Sequence, residues 1–413
     1  MALLPRFRYS YAMFGLSRLL AMLLTGAIWA SAVAGAPGCG STTPKTLNRK
    51  DPESKKRMRT ALAEAREFAR NNEYEQASKK YSRAYELAGD IEILNEHIDV
   101  LIHGGEAALA ETVAQAHTDA HPKDSRGWAL LADTLLAQQK ARPALKIADQ
   151  MLREDDEDAG AYEKRGRALS MLGRNDEALE ALRRAVALDG ENVTTLLALG
   201  AALAKSGNVD EAALQFRAAY KQAPDNAEVL VALGMAVREQ KDYDEAKGYL
   251  EKAISIDASL GAAHYELGIL FNRMNDTAKA EAELSKAVQL IPNESRAWYV
   301  YGEIFRLQER PEEAIEAYRK AVKLDPPHPK AAAKLALLLI EQKDFDGAEK
   351  VLTVAIRKDG KNPTNYLNLG MVFAAKRKNS QAIEMFQKFL DLAPSTDIDR
   401  KRAKEAINEL KRR

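Results

Sequence analysis

The residues best suited to chemistry are two histidines four apart, His117 and His121. On a helix that spacing puts both rings on one face, where they can hold zinc. They fall in what reads as the last turn of a helix, just before Pro122, where the carbonyl end also favours a histidine. His117 moreover stands in a slot that alanine fills elsewhere in the chain. His103 follows Asp99 by four residues, the spacing of an acid–base pair, but no nucleophile or third partner accompanies them and the pair reads as a surface contact. The acidic run Asp155-Asp156-Glu157-Asp158 reads as a solvated loop. There is no glycine-rich phosphate loop ending in lysine, no HExxH, no GxSxG and no calcium loop. A metal-dependent enzyme using His117 and His121 is therefore the least favoured reading. The expectation is a protein that is not an enzyme, with no catalytic residue, no cofactor, no metal and no small-molecule substrate.

The bulk numbers agree. The chain has 413 residues, 61 basic against 60 acidic side chains, and is 46% hydrophobic and 29% charged. Such a mixture folds rather than staying disordered. A net charge of +1 supplies no global drive toward nucleic acid, and no nucleic-acid partner is expected. The single cysteine, Cys39, closes no intramolecular disulfide and excludes a cysteine-rich zinc site.

What positions Cys39 is the N-terminal segment. Arg6, Arg8 and Arg18 precede an uncharged run from Leu19 to Ala36, and small residues gather at Ala32, Ala34, Gly35, Ala36 and Gly38. A positive start, a short apolar core and a small-residue end make a secretory signal over residues 1–38. Translation from Met13 would give it a more usual length, so the start is Met1 or Met13. The stretch Ala36-Pro37-Gly38-Cys39 resembles a bacterial lipobox, which implies that Cys39 is lipidated and becomes the mature N-terminus. Two other readings stay open: cleavage near Ala32 or Ala34, giving a soluble periplasmic protein, or an uncleaved anchor in the inner membrane. By resemblance to Gram-negative lipoproteins, Gly40 behind the cysteine implies sorting to the outer membrane. Residues 40–57 are polar and read as a flexible tether with a reach of about 25 Å, so that 39–57 form a lipidated cysteine and its leash.

The rest is periodic. Glycines stand at 166, 200, 234, 268, 302 and 370, alanines at 110, 144, 178, 212, 246, 280, 314, 348 and 382, and prolines at 122, 224, 292, 326 and 394, all separated by 34 or its multiples. Self-similarity of this kind marks a repeat architecture. Ten repeats fill 58–90, 91–124, 125–158, 159–192, 193–226, 227–260, 261–294, 295–328, 329–362 and 363–396. In 193–226, Leu196, Leu199 and Leu203 are spaced as one helix, Ala212, Phe216 and Ala219 as another, with Gly207 in the turn and Pro224 at the end. Gly200 and Ala212 are small where two helices meet, and Phe216 fills the space beside them. Residues 397–413 form a capping helix opened by Asp397 or Asp399, with Ile398, Ala403, Ala406, Ile407 and Leu410 on one stripe.

This pattern resembles the tetratricopeptide repeat family across about 339 residues. It implies an all-α, right-handed solenoid of ten helix–turn–helix repeats plus a capping helix. It also implies a concave wall built from the first helices, with positions five and nine of each repeat facing inward. Those positions are polar in the first four repeats and mostly apolar from the fifth: Leu197, Val231, Met235, Tyr265, Ile269, Tyr299, Leu337, Leu367 and Met371 are the expected partner-binding groove. The chaperone-type carboxylate clamp of the family is not matched. The function this implies is a protein-interaction scaffold or assembly factor of the bacterial envelope, of the pilus/secretin, motility or outer-membrane assembly type. It would bind an apolar segment of one or more envelope proteins and reach the membrane through its lipid anchor. A regulatory binding subunit for a cell-wall enzyme is the alternative.

Overall fold

The structure is a computed structural model that describes residues 51–324, 328 and 330–412. The signal segment, Cys39 and the start of the tether lie outside the described residues. Among those described every regular element is a helix, and no helix is long and apolar enough to cross a membrane. The chain divides into two compact halves, Met1–Asp242 and Tyr243–Arg413. The division falls inside the 227–260 repeat, between its two helices.

The N-terminal half pairs α1 (Pro52–Arg70) with α2 (Tyr74–Ala88), α3 (Ile91–His103) with α4 (Ala107–Ala120), and α5 (Ser125–Ala137) with α6 (Ala141–Glu154). Next come α7 (Ala159–Met171) with α8 (Asn175–Leu188), α9 (Val193–Lys205) with α10 (Val209–Gln222), and α11 (Ala227–Glu239). The C-terminal half opens on α12 (Tyr243–Ile256). It then pairs α13 (Gly261–Arg273) with α14 (Thr277–Leu290), α15 (Ser295–Leu307) with α16 (Pro311–Lys323), α17 (Ala331–Glu341) with α18 (Phe345–Lys358), and α19 (Pro363–Ala375) with α20 (Asn379–Leu392). It ends on α21 (Asp399–Arg412).

The sequence sets the helix starts. Asp90, Asp124, Asp158, Asn192 and Asn226 recur once per repeat, and each side chain accepts a backbone N–H of the first turn, at 3.0, 3.1, 3.0, 3.0 and 2.9 Å. Asn362 does the same in the other half at 3.1 Å. Such caps stabilise a helix by about 1 kcal/mol each. The capping role of Asp155 and Asp158 also explains the acidic run, which bounds α6 and α7. The tether is shorter than expected: Asp51 caps α1, and Pro52 at its first position carries the helix back through residues 52–57.

Pairs close through the glycine slots. A Cβ on Gly200 would lie 2.4 Å from the Phe216 ring, one on Gly302 2.7 Å from Tyr318 and one on Gly370 2.7 Å from Phe386. The turn within each repeat uses one left-handed residue, always in the same register: Asn72, Gly105, Gln139, Gly173, Gly207 and Lys241 in one half, Asn275, Glu309, Lys343 and Arg377 in the other. Only three of these ten are glycine, the residue to which that conformation comes free. Junctions between repeats are held by position four: Trp128 donates its indole N–H to the Pro122 carbonyl at 2.9 Å, and Trp298 to that of Pro292 at 2.7 Å. In α21, Ala403, Ile407 and Leu410 are buried against the last pair, whereas Ile398 lies before the helix and is 77% exposed, outside the stripe expected for it.

Candidate functional site: the first-helix faces

In the first four repeats charge gathers at positions five and nine, and the charges find each other. Arg66 donates from Nε and Nη2 to the Glu96 carboxylate at 2.8 and 2.5 Å, and the Tyr81 hydroxyl donates to the same group at 2.9 Å. The Arg66 bond holds Glu96 below the usual carboxylate range, and burial pushes Tyr81 up to about 12. Further along, Glu163 and Lys164 are buried, and Lys164 Nζ lies 2.9 Å from Asp133 and 3.3 Å from Glu163. Arg167 reaches Asp133 at 3.1 Å and Glu163 at 3.0 Å. Burial alone would raise the Glu163 carboxyl, but the charges of Lys164 and Arg167 outweigh it and hold the group low. Asp99 forms no ion pair among the described residues. Burial raises its carboxyl, with Asp133 and Glu96 adding to the rise and the His103 ring opposing it.

The apolar positions behave otherwise. Leu197, Val231, Met235, Tyr265 and Tyr299 are buried, Ile269, Leu367 and Met371 are half-buried, and Leu337 is 38% exposed. The expected exposed wall therefore narrows to four residues, all in the C-terminal half. The reason is that neighbouring first helices touch, as α9 does α11 and α17 does α19. An apolar side chain at position five then covers its neighbour instead of standing free. Tyr299 stacks on His328 at 3.8 Å between centroids and 16° between planes. Burial, then the charges of Arg296 and Lys330, push that imidazole down to about 3. Position nine is not wholly apolar either. Glu303 is buried, accepts from the Tyr318 hydroxyl and Arg306, and lies 3.5 Å from Lys334.

The candidate chemical pairs resolve into structural contacts. His117 is buried with Nδ1 2.5 Å from the Tyr85 hydroxyl and Nε2 3.3 Å from Asp124, so both ring nitrogens already face partners. The His121 ring stands 4.8 Å away, and among the described residues no group of three metal-ligating side chains converges. His103 Nδ1 lies 2.6 Å from the Asp99 backbone carbonyl, not from its carboxylate, which makes it a helix-end contact. The ionic network escapes a reading of single residues. Its signal is the fall of opposite charges in consecutive repeats, Asp133 at position nine of one against Lys164 and Arg167 at positions six and nine of the next, with Glu163 at position five beside them.

Three family models match stretches of the chain: a TPR repeat over residues 166–207, a tetratricopeptide repeat over 197–260, and the cytochrome c-type biogenesis protein H TPR domain over 267–400. Among curated proteins no sequence matches the chain. Solved structures similar to it include the APC/C hetero-tetramer Cut9–Hcn1, at 15% identity over 88% of this chain and 79% of that one, with a TM-score of 0.53. Yeast Tom70 is similar at 16% identity over 87% and 96%, TM-score 0.50. The human IFIT1 dimer with m7Gppp-AAAA is similar at 15% over 85% and 97%, TM-score 0.53. At these identities the likeness concerns the fold alone. Taken with the helix pairs and their shared register, the matches show that this chain carries tetratricopeptide repeats and has the all-α solenoid fold that they build.

Proposed function

We propose that the chain is a non-enzymatic assembly scaffold of the bacterial cell envelope, holding an apolar segment of a partner protein against the first-helix faces of its C-terminal half. Repeats of this kind serve as protein-binding surfaces. The observation that carries the reading is the partly open apolar set on α13, α17 and α19: Ile269, Leu337, Leu367 and Met371. The match of residues 267–400 to the TPR domain of a biogenesis protein supports an assembly role for the same half. The signal-like segment and Cys39 support placement at the outer membrane, facing the periplasm, through a lipid anchor.

The test is a photo-crosslinking residue at Leu337 or Met371 in living cells, with exposed Glu316 on α16 as control. A discrete envelope protein captured at 337 and 371 but not at 316 supports the scaffold. Capture at neither, with the protein folded and exported, overturns it. The anchor is tested separately: Cys39→Ala abolishes acyl modification while export continues, and an unacylated wild-type N-terminus by mass removes the anchor from the proposal.

A further inference from the structure

Resting on that scaffold reading, we infer that the segment held by α17, α19 and α21 is acidic as well as apolar: an amphipathic stretch of a partner protein bearing aspartate or glutamate beside its large apolar residues. Two observations converge. The first is where apolar surface stays open. Leu337 on α17 is 38% exposed, Leu367 and Met371 on α19 are half-buried, and Ile398 at the entry to α21 is 77% exposed, the most exposed large apolar side chain among the described residues.

The second is charge. Residues 351–413 carry fourteen bases and seven acids, whereas residues 51–242 carry twenty-six bases and thirty-four acids. Residues 397–413 carry seven of those fourteen bases against four acids, and the register sets Lys401 where Leu367 stands one repeat earlier and Glu405 where Met371 stands. α21 continues the first-helix series: Ala403 and Ile407 are buried one repeat length after Leu369 and Phe373, and Arg400 binds the Leu390 and Ala393 carbonyls at 2.6 and 2.7 Å. Lys401 and Arg402 therefore stand where Leu367 and Asn368 stand one repeat earlier. Their acids are weak competitors: Lys401 lies 3.9 Å from Glu405 and Arg402 3.4 Å from Asp399, with base side chains 85% and 78% exposed. Exposed pairs of that sort contribute little and are screened by salt. A carboxylate brought in beside buried apolar contacts gains more from the same bases, because docking excludes water from the pair. Helices packed about 10 Å apart give the face a span of about 20 Å across three helices, which about 13 residues of partner helix would cover.

The test pans a random-peptide display library on the full chain. The expected enriched peptides combine large apolar residues with net negative charge. A synthetic copy of one weakens as salt rises, and loses about tenfold in affinity to K401E/R402E, whose sites are exposed and whose fold is checked by circular dichroism. L337D gives a second loss, and if it fails to fold the double charge variant carries the result. Neutral or basic enriched peptides that L337D weakens would keep the scaffold and overturn the acidic partner. Unchanged affinity in K401E/R402E would overturn it too. Binding of the chain to phosphatidylglycerol vesicles, lost in K401E/R402E, with no acidic peptide enriched, would overturn it in favour of a lipid-facing surface. If nothing is enriched and crosslinking at 337 captures no protein, the scaffold reading itself falls.

Discussion

The same two positions of the same repeat do opposite work in the first four repeats and in the last four. In the first four repeats they include Arg66, Asp99, Asp133, Glu163 and Arg167: Arg66, Asp133 and Arg167 form ion pairs across neighbouring first helices, and Glu163 pairs with Lys164 and Arg167 on its own helix. In the C-terminal half they hold Tyr265, Tyr299, Leu337, Leu367 and Met371, and there the later members keep surface open. A polar wall can satisfy itself, because most of its charges meet a partner on the same first helix or the next. An apolar wall satisfies itself only where a neighbour covers it. Charge at these positions thus pairs within the wall, whereas apolar surface there stays open where no neighbour covers it.

The comparison breaks most visibly at Glu163. Changing it to glutamine leaves buried Lys164 and half-buried Arg167 with only the part-exposed Asp133 as counter-charge. The expected cost is about 3–5 kcal/mol, read as a lower urea midpoint. Leu337→Ser in the other half should cost less than about 0.5 kcal/mol by the same measurement while abolishing partner capture. If Glu163→Gln is equally mild, the ionic wall is ornamental and the contrast is lost.

Acid sharpens it next. Burial pushes His97 down to about 4, with Nε2 3.0 Å from the Ser78 hydroxyl and no partner for Nδ1 among the described residues. The unfolded chain takes up a proton near pH 6.5 while the folded one does not. The stabilisation is complete above about 6.5 and is lost as pH falls toward 4, by about 2–3 kcal/mol. His97→Gln should remove that part of the slope between pH 7 and 4.5. Glu163 acts only lower: its depressed carboxyl contributes above about pH 4.3 and fails as pH drops through its folded value. An unchanged slope in His97→Gln would show that His97 is not the residue being titrated.

The smallest effects test whether the halves share one turn. Gly173, at φ +78°, has open space where a side-chain carbon would stand, so Gly173→Ala should cost about 1 kcal/mol from conformation alone. Lys343, at φ 63°, occupies the equivalent place, and Lys343→Gly should gain about as much. Thermal melts of the two variants should move in opposite directions.

The fold is legible in the sequence because close approach repeats: Ala212 has an alanine counterpart in every unit, and Gly200 a glycine or alanine in all but the second, which carries Ile98. The cap series Asp90 to Asn226 carries the same period, yet its meaning emerges only with the helix starts. The site is legible in register but not in exposure. Position five tells which face Val231 and Tyr265 occupy, but not that a neighbouring helix closes over them, which depends on interhelical distance. Nor can the sequence show that Lys241, Glu309 and Lys343 take a left-handed turn, since nothing in those side chains asks for it. His117 looks like a ligand because spacing alone does not reveal that Tyr85, in the preceding repeat, already occupies its ring.

The indole bonds at the repeat junctions give the molecule a built-in pair of optical probes. Trp29 aside, the chain has two tryptophans, one in each half, half-buried and clamped to a proline carbonyl in the same way. In the chain without residues 1–38, which carry Trp29, Trp128→Phe leaves tryptophan emission from the C-terminal half alone, and Trp298→Phe from the N-terminal half alone. Two fluorescence melts of otherwise identical chains would then show directly whether the self-satisfied half and the half with open surface come apart in one transition or in two.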